Sequence, residues 1–128
     1  MFNYVFSNGD AHLKNFSLIQ SEFGDYLLSK AYDLMCTVLH TPNESDTALD
    51  LYKGDIESKF FSKYGFFGRP DFEMLAERIG LISKRAQLII DTILGRQNEV
   101  LAMVHSSFLD NEAKEKYINY YMDKVRRF

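Results

Sequence analysis

The sequence predicts an α+β fold that is mainly α-helical, in which a small β-hairpin near the amino terminus precedes a helical bundle. Two short β-compatible runs, residues 16–19 and 26–28, are separated by a segment that ends in the turn-forming pair Gly24-Asp25. Beyond about residue 56, apolar residues recur at spacings of three and four, which is typical of amphipathic helices. The chain has 128 residues, enough for one ordinary hydrophobic core, so we expect a single domain over residues 1–128.

The composition is that of a compact domain, with 46% hydrophobic and 26% charged residues. The net charge of −3 and the pI near 5.6 argue against nucleic-acid binding over the whole surface, which usually needs a basic patch. The single cysteine, Cys36, excludes an internal disulfide, and the sequence has neither a signal core nor an 18-residue apolar run. We therefore expect a cytoplasmic protein with no membrane contact, and we do not expect it to bind nucleic acid directly.

The amino-terminal segment, residues 1–6, has the pattern of the last turns of a helix. The hairpin that follows has a register that can be predicted. If its centre lies near Phe23, Asn15 pairs roughly with Ala31 across the two strands. The side chains of Asn15 and Asp33 would then emerge at the same open end of the hairpin, within reach of one ion.

The middle of the chain begins with a polar stretch, residues 41–46, which predicts a surface loop. Residues 49–52 are expected to form a short strand or an extended segment that ends at residues 53–55. A short helix is predicted over residues 56–64 and stops at Gly65. Its apolar residues on one face are Ile56, Phe60 and Phe61.

Three further helices are predicted towards the carboxyl terminus. The first is bounded by Pro70, which favours an early helical position, and by Gly80, which suits a helix end. The second is capped by Ser83 and runs to about Phe108, with Gly95 as a point where it bends or weakens. Asp110 is a suitable cap for the last helix. The buried stripe predicted for the first of these helices is Phe72, Leu75, Ala76 and Ile79.

Three polar residues around the predicted hairpin have the order found in phosphoryl-transfer sites. Asp10 is followed five residues later by Asn15, and Asp33 lies beyond the hairpin. In protein kinases one Asp orients the substrate hydroxyl and takes its proton, and an Asn and a second Asp hold Mg²⁺ against the phosphates. Oxygen-only ligands of this kind suit Mg²⁺ better than zinc. The order therefore predicts ATP and Mg²⁺ as cofactors.

The string Asn-Gly-Asp-Ala-His-Leu-Lys-Asn-Phe-Ser, at residues 8–17, is followed beyond the hairpin by Ala-Tyr-Asp-Leu, at residues 31–34. Together they resemble the catalytic centre of HipA-like serine/threonine protein kinases, the toxins of bacterial toxin-antitoxin pairs. The resemblance combines about ten nearly contiguous positions with a second motif, and it covers roughly the first third of the chain. Beyond residue 34 only the general helical character of a kinase-like C-terminal lobe is similar.

The resemblance implies a role for each of five residues. Asp10 would be the catalytic base, and Asn15 and Asp33 would be metal ligands. His12 and Lys14 would support catalysis from the same loop, by phosphate contacts in the case of Lys14 or by holding the loop geometry. The partners implied are a helix-turn-helix antitoxin and a protein substrate among translation components such as aminoacyl-tRNA synthetases.

A whole kinase of this type carries an amino-terminal portion with a nucleotide-covering loop, whereas only nine residues precede Asp10 here. The sequence also has no glycine-rich loop of the usual phosphate-binding types. We therefore expect a C-terminal lobe only, which needs an amino-terminal lobe in cis or in trans. Because phosphoryl transfer relies on positioning and charge stabilisation, the chain alone is expected to be nearly inactive.

Other interpretations of the same residues remain open at this point. Asn8-Gly9 is also a strong signal for a type I′ hairpin turn, and Asp33 also suits the cap of a helix starting at Leu34. Cys36 has no evident basic partner and is expected to be a small buried residue rather than a nucleophile. The aromatic residues of segment 60–67 fit a core, or a surface covered by a missing lobe.

Two other functions are consistent with the sequence. One is a non-catalytic interaction module that keeps the loop but binds an antitoxin or a partner lobe. The other is a metal-dependent hydrolase, which would need additional carboxylates that converge on Asp10 and Asp33. The three histidines lack the spacing of a zinc site.

Overall fold

The computed structural model describes residues 1–53 and 57–128 and confirms the predicted α+β fold, with one two-stranded antiparallel hairpin near the amino terminus followed by helices. Two 3₁₀ turns flank the hairpin, at Leu13–Asn15 and Thr37–Leu39. The regular elements are α1 (Phe2–Val5), β1 (Leu18–Gln20), β2 (Tyr26–Leu28), α2 (Lys59–Tyr64), α3 (Arg69–Arg78), α4 (Ser83–Leu94), α5 (Gln97–Ser106) and α6 (Asn111–Arg126). Within the described ranges, no helix combines the length and apolar character needed to cross a membrane.

The register of the hairpin agrees with the sequence prediction. Phe23 lies at the centre of the connection, and Gly24 takes a φ of +86° that favours glycine. One further backbone bond, from the Ser29 N–H to the Ser17 carbonyl at 2.8 Å, extends the pairing towards the open end. The paired residues are Leu18 with Leu28, Ile19 with Leu27 and Gln20 with Tyr26.

The segment after the polar loop differs in part from the prediction. Residues 49–52 form bends rather than a strand, and residues 54–56, where the predicted segment ends and the next helix starts, lie outside the described residues. Helix α2 begins at Lys59, because the Ser58 side chain caps it by accepting a hydrogen bond from the Phe61 N–H at 2.9 Å. It ends as predicted at Gly65, whose φ is +75°.

The predicted helix over residues 83–108 is wrong, since the chain forms two helices there. Helix α4 ends before Gly95, and α5 begins at Gln97. The break lets α4 pack against α3 while α5 packs against α6. Glycine weakens a helix at this point because it has more backbone freedom to lose than other residues. Ser83 is the first helical residue and does not act as the predicted cap.

Helices α3 and α6 have the predicted boundaries. Pro70 lies in the first turn of α3, and Gly80 follows its end with a φ of +78°. Asp110 caps α6 by accepting a hydrogen bond from the Ala113 N–H at 2.8 Å. Ile79 was predicted to be buried but is 65% exposed, because α3 ends at Arg78 and the chain turns away there.

The hydrophobic core joins the short amino-terminal helix to the carboxyl-terminal helices. Tyr4 and Val5 of α1 pack with Phe72 of α3, Ile90 of α4 and Tyr121 of α6, and all five are at most 5% exposed. These residues come from both ends of the sequence, so the core requires the whole chain to fold together. Helix α1 has only four residues and depends on this packing for its stability.

The aromatic residues of segment 60–67 pack mainly on one another. Phe61 and Phe67 have ring centroids 4.6 Å apart, and Phe60 and Tyr64 are equally close. Tyr64 is 49% exposed, while the four phenylalanines of the segment are half-buried. The segment therefore forms an aromatic cluster at the edge of the core.

A buried ion cluster fastens the end of α6 to the loop before α2. Lys124 is only 4% exposed and forms an ion pair with Asp46, which also accepts a hydrogen bond from Arg127 at 2.5 Å. Tyr4 joins the cluster: its hydroxyl accepts from Arg127 at 2.9 Å and donates to the Phe67 carbonyl at 2.6 Å. The Lys124 ammonium lies 4.5 Å from the centre of the Tyr4 ring.

The pKa shifts in this cluster follow from burial and charge pairing. Burial alone would raise the pKa of Asp46, but the hydrogen bonds and charges of Lys124 and Arg127 outweigh it and hold that pKa below its usual value. Burial lowers the pKa of Lys124, and Asp46 only partly offsets this. Burial also raises the pKa of Tyr4 to about 12.

Asp46→Asn is expected to lower the free energy of unfolding by about 2 kcal/mol, because it leaves the buried Lys124 ammonium without a countercharge. We expect less than the full cost of breaking a buried ion pair, since the Asp46 side chain is 41% exposed. Asp123→Asn is the matched control, because Asp123 also pairs with Arg127 but is 60% exposed. Urea denaturation measures both, and equal effects of the two substitutions would contradict the role of Asp46.

The same cluster predicts a pH dependence. A carboxyl whose pKa is lowered by folding stabilises the fold fully above its unfolded pKa, here about 3.8, and loses this contribution as the pH falls through the lower folded value. The stability difference between wild type and Asp46→Asn should therefore be constant near neutral pH and shrink below pH 3.8. A difference that persists unchanged in acid would show that charge is not its origin.

Candidate functional site

The loop that carries Asp10 follows α1, and it begins at Ser7, whose backbone has a left-handed conformation. Ser7 is 5% exposed and has a φ of +52°, a region that serine rarely adopts. Neither Asn8 nor Gly9 has a positive φ, so the alternative of a type I′ hairpin turn at these residues is wrong. The segment is a loop between α1 and the 3₁₀ turn at Leu13–Asn15.

Asn15 and Asp33 meet at the open end of the hairpin. The Asn15 side-chain amide donates a close hydrogen bond to the Asp33 carboxylate. Asp33 has a φ of +55°, a left-handed conformation that aspartate tolerates better than most residues. The helix-cap alternative for Asp33 is wrong, because no helix starts at Leu34 and the next helical turn begins at Thr37.

Asp10 is connected to this pair through Asn8 and forms no direct hydrogen bond with it. Its side chain is 65% exposed, and one carboxylate oxygen is 3.8 Å from Nε2 of His12. The Asp10 N–H donates to Oδ1 of Asn8 at 3.3 Å, and the Asn8 amide in turn donates to the Asp33 carbonyl at 3.0 Å. Asn8 therefore links the Asp10 loop to Asp33, and sequence reasoning assigned it no such role.

The other two residues of the loop that were predicted to support catalysis, Lys14 and His12, differ in exposure. The Lys14 side chain is exposed and forms no hydrogen bond or ion pair with any residue in the described ranges, while its carbonyl accepts from the Tyr32 hydroxyl at 2.9 Å. His12 is half-buried, and its Nδ1 has no hydrogen-bond partner among the described residues. The Tyr32 hydroxyl also lies 2.7 Å from Oγ of Ser17, so Tyr32 joins the 3₁₀ turn to the residue just before β1.

A second fastening holds the loop from the opposite side. The Gly9 N–H donates to the Thr37 hydroxyl at 2.9 Å, and that hydroxyl donates to the Glu44 carboxylate at 2.5 Å. A Cβ atom at Gly9 would lie only 2.4 Å from the Ser45 carbonyl oxygen. Glycine is therefore needed next to Asp10 because the backbone of the polar loop approaches it closely. Thr37 and Glu44 carry no local signal that would have identified them from the sequence.

The site fits a hard divalent cation at Asn15 and Asp33. A cleft of about 100 Å³ lies between the loop and the base of the hairpin, and Asn8, Asn15 and Asp33 line it together with apolar neighbours. Oδ1 of Asn15 is buried and has no partner in the described part of the chain. An unpaired amide oxygen next to a carboxylate provides two oxygen ligands of the kind that Mg²⁺ prefers, and water and phosphate oxygens would complete its coordination shell.

Other metal and nucleophile chemistries have less support. Among residues 1–53 and 57–128, no three side chains of His, Cys, Asp and Glu form a group that could hold a metal ion. The hydrolase alternative needs such a convergence of carboxylates. Burial raises the pKa of Cys36 to about 11, which leaves the thiol protonated at neutral pH and a poor nucleophile.

Two comparisons with known proteins match most of the chain, and the first of them includes the part that carries this site. A family model described as the HipA-like C-terminal domain matches residues 1–101. The protein named Putative kinase Y4dM, from Sinorhizobium fredii (strain NBRC 101917 / NGR234), is 33% identical over 92 residues. The match covers 72% of this chain but 20% of that protein, so the chain spans about a fifth of the length of this relative.

Thr37→Val is expected to lower the free energy of unfolding by about 1–3 kcal/mol at almost unchanged side-chain volume, because it removes the hydroxyl that accepts from the Gly9 N–H at 2.9 Å and leaves that N–H only a 3.4 Å bond to Oε1 of Glu44. Thr41→Val is the matched control, since Thr41 is exposed and its hydroxyl forms no hydrogen bond in the described residues. Chemical denaturation measures the stability, and hydrogen exchange measures the protection of the Gly9 and Asp10 amides. Unchanged protection of these amides in Thr37→Val would contradict the proposed fastening.

Proposed function

The chain belongs to the family of HipA-like C-terminal domains, and on this premise we propose that it is the catalytic C-terminal lobe of an ATP- and Mg²⁺-dependent serine/threonine protein kinase. The observation that carries the proposal is the contact between Asn15 and Asp33 at the end of the hairpin, beside the loop of Asp10. These are the three residue types, in the order that kinase sites require.

Asp10 has the exposure that a catalytic base needs. Its carboxylate is 65% exposed, so an acceptor hydroxyl can reach it, and its backbone is held from both sides by the bonds of Asn8 and Gly9. On this proposal Asp10 aligns the hydroxyl of the protein substrate and accepts its proton as the phosphoryl group is transferred. His12, 3.8 Å from the carboxylate, helps to hold its orientation.

Asn15 and Asp33 would hold Mg²⁺, which neutralises the negative charge of the transferred phosphoryl group. The Asn15 amide N–H faces the Asp33 carboxylate, and its Oδ1 is the atom without a partner. Because the two ends of an amide exchange by rotation about its last torsion, Asn15 can present this oxygen to a cation. Lys14 is exposed at the same loop and is the cation that we propose for phosphate contacts.

The hairpin supports the proposed need for an amino-terminal lobe. Its apolar side chains are exposed on both faces: Leu18 and Leu28 pair across one face and are 65% and 67% exposed, and Ile19 and Leu27 on the other are 59% and 57% exposed. Phe23 at the turn is 88% exposed. An apolar surface of this kind marks an interaction site. On our proposal the second lobe covers this hairpin and supplies the remaining contacts to ATP.

The same exposed hairpin also favours the second candidate, a non-catalytic module that binds a partner protein through this surface. The partners we propose follow from the family, namely a helix-turn-helix antitoxin and, as substrate of the kinase, a translation component such as an aminoacyl-tRNA synthetase. The two candidates differ in one measurable property. Only the kinase loses function when Asp10 is changed.

A chimera tests the proposal: the matched segment of the S. fredii relative is replaced by this chain, and ATP-dependent phosphorylation is measured with Mg²⁺. We expect activity in the chimera and almost none in the isolated 128-residue chain, because on our proposal a second lobe supplies the remaining contacts to ATP. In the chimera, Asp10→Ala should lower kcat by about 100-fold or more. Glu115→Ala, on the exposed surface of α6, is the matched control and should retain activity.

Each result decides a separate part of the proposal. Full activity of the Asp10→Ala chimera would remove the assignment of the base. Strong phosphorylation by the isolated chain would show that the lobe requirement is wrong. A chimera that binds the antitoxin yet transfers no phosphate, with or without Asp10, would favour the interaction module.

A further inference from the structure

Asn8 has contacts that go beyond those needed to form a loop. It is 4% exposed and lies where two clefts of the site meet, since it lines both the cleft at Asn15 and Asp33 and a neighbouring cleft of about 270 Å³. Its side chain reaches both the backbone of Asp10 and the backbone of Asp33. We propose that Asn8 is the positioning residue that fixes the proposed base relative to the proposed metal ligand, an inference that rests on the proposed function.

The first contact fixes the base. Oδ1 of Asn8 accepts a hydrogen bond from the Asp10 N–H at 3.3 Å, which sets the direction in which the Asp10 side chain leaves the loop. The Asn8 backbone is itself held, because its N–H donates to the Asn3 carbonyl of α1 at 2.8 Å. Asp10 is therefore connected to helix α1, which packs in the core, by two consecutive hydrogen bonds through Asn8.

The second contact fixes the metal ligand. Nδ2 of Asn8 donates to the Asp33 carbonyl at 3.0 Å, at a residue whose φ is +55°. A non-glycine residue keeps such a conformation only where its surroundings hold it there. The bond from Asn8 is one of these restraints, and the other is the contact between the Asp33 carboxylate and Asn15. Without Asn8, Asp33 would be free to leave the conformation that faces Asn15.

The chemistry of the two bonds requires an amide. One end of the group must accept a hydrogen bond from Asp10 and the other must donate one to Asp33, and among short side chains asparagine offers both in one plane. Aspartate lacks the donor, and serine is too short to span the distance. Nδ2 also donates to Oδ1 of Asn3 at 3.4 Å, so both N–H groups of the amide have an acceptor and its oxygen has a donor.

Replacement of a positioning residue lowers the affinity of the metal site for its cation, whereas replacement of a purely structural amide lowers only the stability of the fold. Outer residues that orient metal ligands typically change the metal affinity about 10-fold to 100-fold when they are removed. The experiment therefore titrates the purified 128-residue chain with Mn²⁺, a paramagnetic substitute for Mg²⁺, and follows free Mn²⁺ by electron paramagnetic resonance. Thermal unfolding of each variant gives the folded fraction.

Asn8→Ser keeps a hydroxyl that can accept from the Asp10 N–H but removes the link to Asp33. We expect Mn²⁺ to bind the folded variant at least about 10-fold more weakly than wild type. The matched control is Asn98→Ser on the exposed surface of α5, which should bind like wild type. Asp33→Asn removes the negative charge of the proposed ligand and should weaken Mn²⁺ binding more than Asn8→Ser does.

Two outcomes overturn the inference in distinguishable ways. If folded Asn8→Ser binds Mn²⁺ as tightly as wild type while Asp33→Asn does not, the metal site stands and the role of Asn8 is wrong. If wild type and Asp33→Asn bind equally, the proposed metal site fails and the inference fails with it.

A measurement on the wild type decides the case in which Asn8→Ser does not fold. Addition of Mg²⁺ should shift the side-chain NH₂ resonances of Asn8 and the backbone amide resonances of Asp10 and Asp33 in NMR spectra, with one common midpoint. This expectation follows because the three groups are joined by direct hydrogen bonds. Movement of Asp33 without movement of Asn8 would overturn the inference.

Discussion

The fold depends on a countercharge for one buried lysine. Lys124 lies in α6 with 4% of its surface exposed, and an ammonium group in such a place is tolerated only with an anion beside it. Asp46 supplies that anion from the polar loop and also binds Arg127. The last helix and the polar loop must therefore assemble together, and Tyr4 of α1 is included because its ring and hydroxyl contact the same two cations.

The polar loop that contains Asp46 also contacts the candidate site. The residues just before Asp46 are the ones that meet the Asp10 loop, where the Ser45 carbonyl leaves no room for a side chain at Gly9 and Glu44 binds the hydroxyl of Thr37. The ion pair of α6 thus holds the loop that holds the proposed base. A domain with this arrangement places its site residues by contacts between distant parts of the chain, and the site forms only when the core does.

The local features of the fold and site could be predicted from the sequence, and the features that depend on distant contacts could not. The turn residues and the two β-compatible runs predicted the hairpin register, so the meeting of Asn15 and Asp33 followed from Phe23 as its centre. Gly95 was identified as a point where the helix bends or weakens, but the division into two helices was not predicted, because the apolar periodicity continues through Gly95 and only the packing of α4 and α5 on different helices requires a break. Asn8 was identified within a motif, but its buried bond to Asp33 joins residues far apart in sequence.

On our proposal, the hydrogen-bonded site residues and the exposed hairpin have different roles in the kinase. Within the described chain, Asp10 and Asp33 are connected by hydrogen bonds through Asn8, and Asn15 already meets Asp33. The hairpin beside them remains uncovered. Catalysis by preorganised charge requires both parts, ligands held in place and phosphates enclosed. On our proposal a second lobe would add the enclosure and the remaining contacts to ATP, so its docking would complete a site whose metal-ligand geometry is set by this lobe.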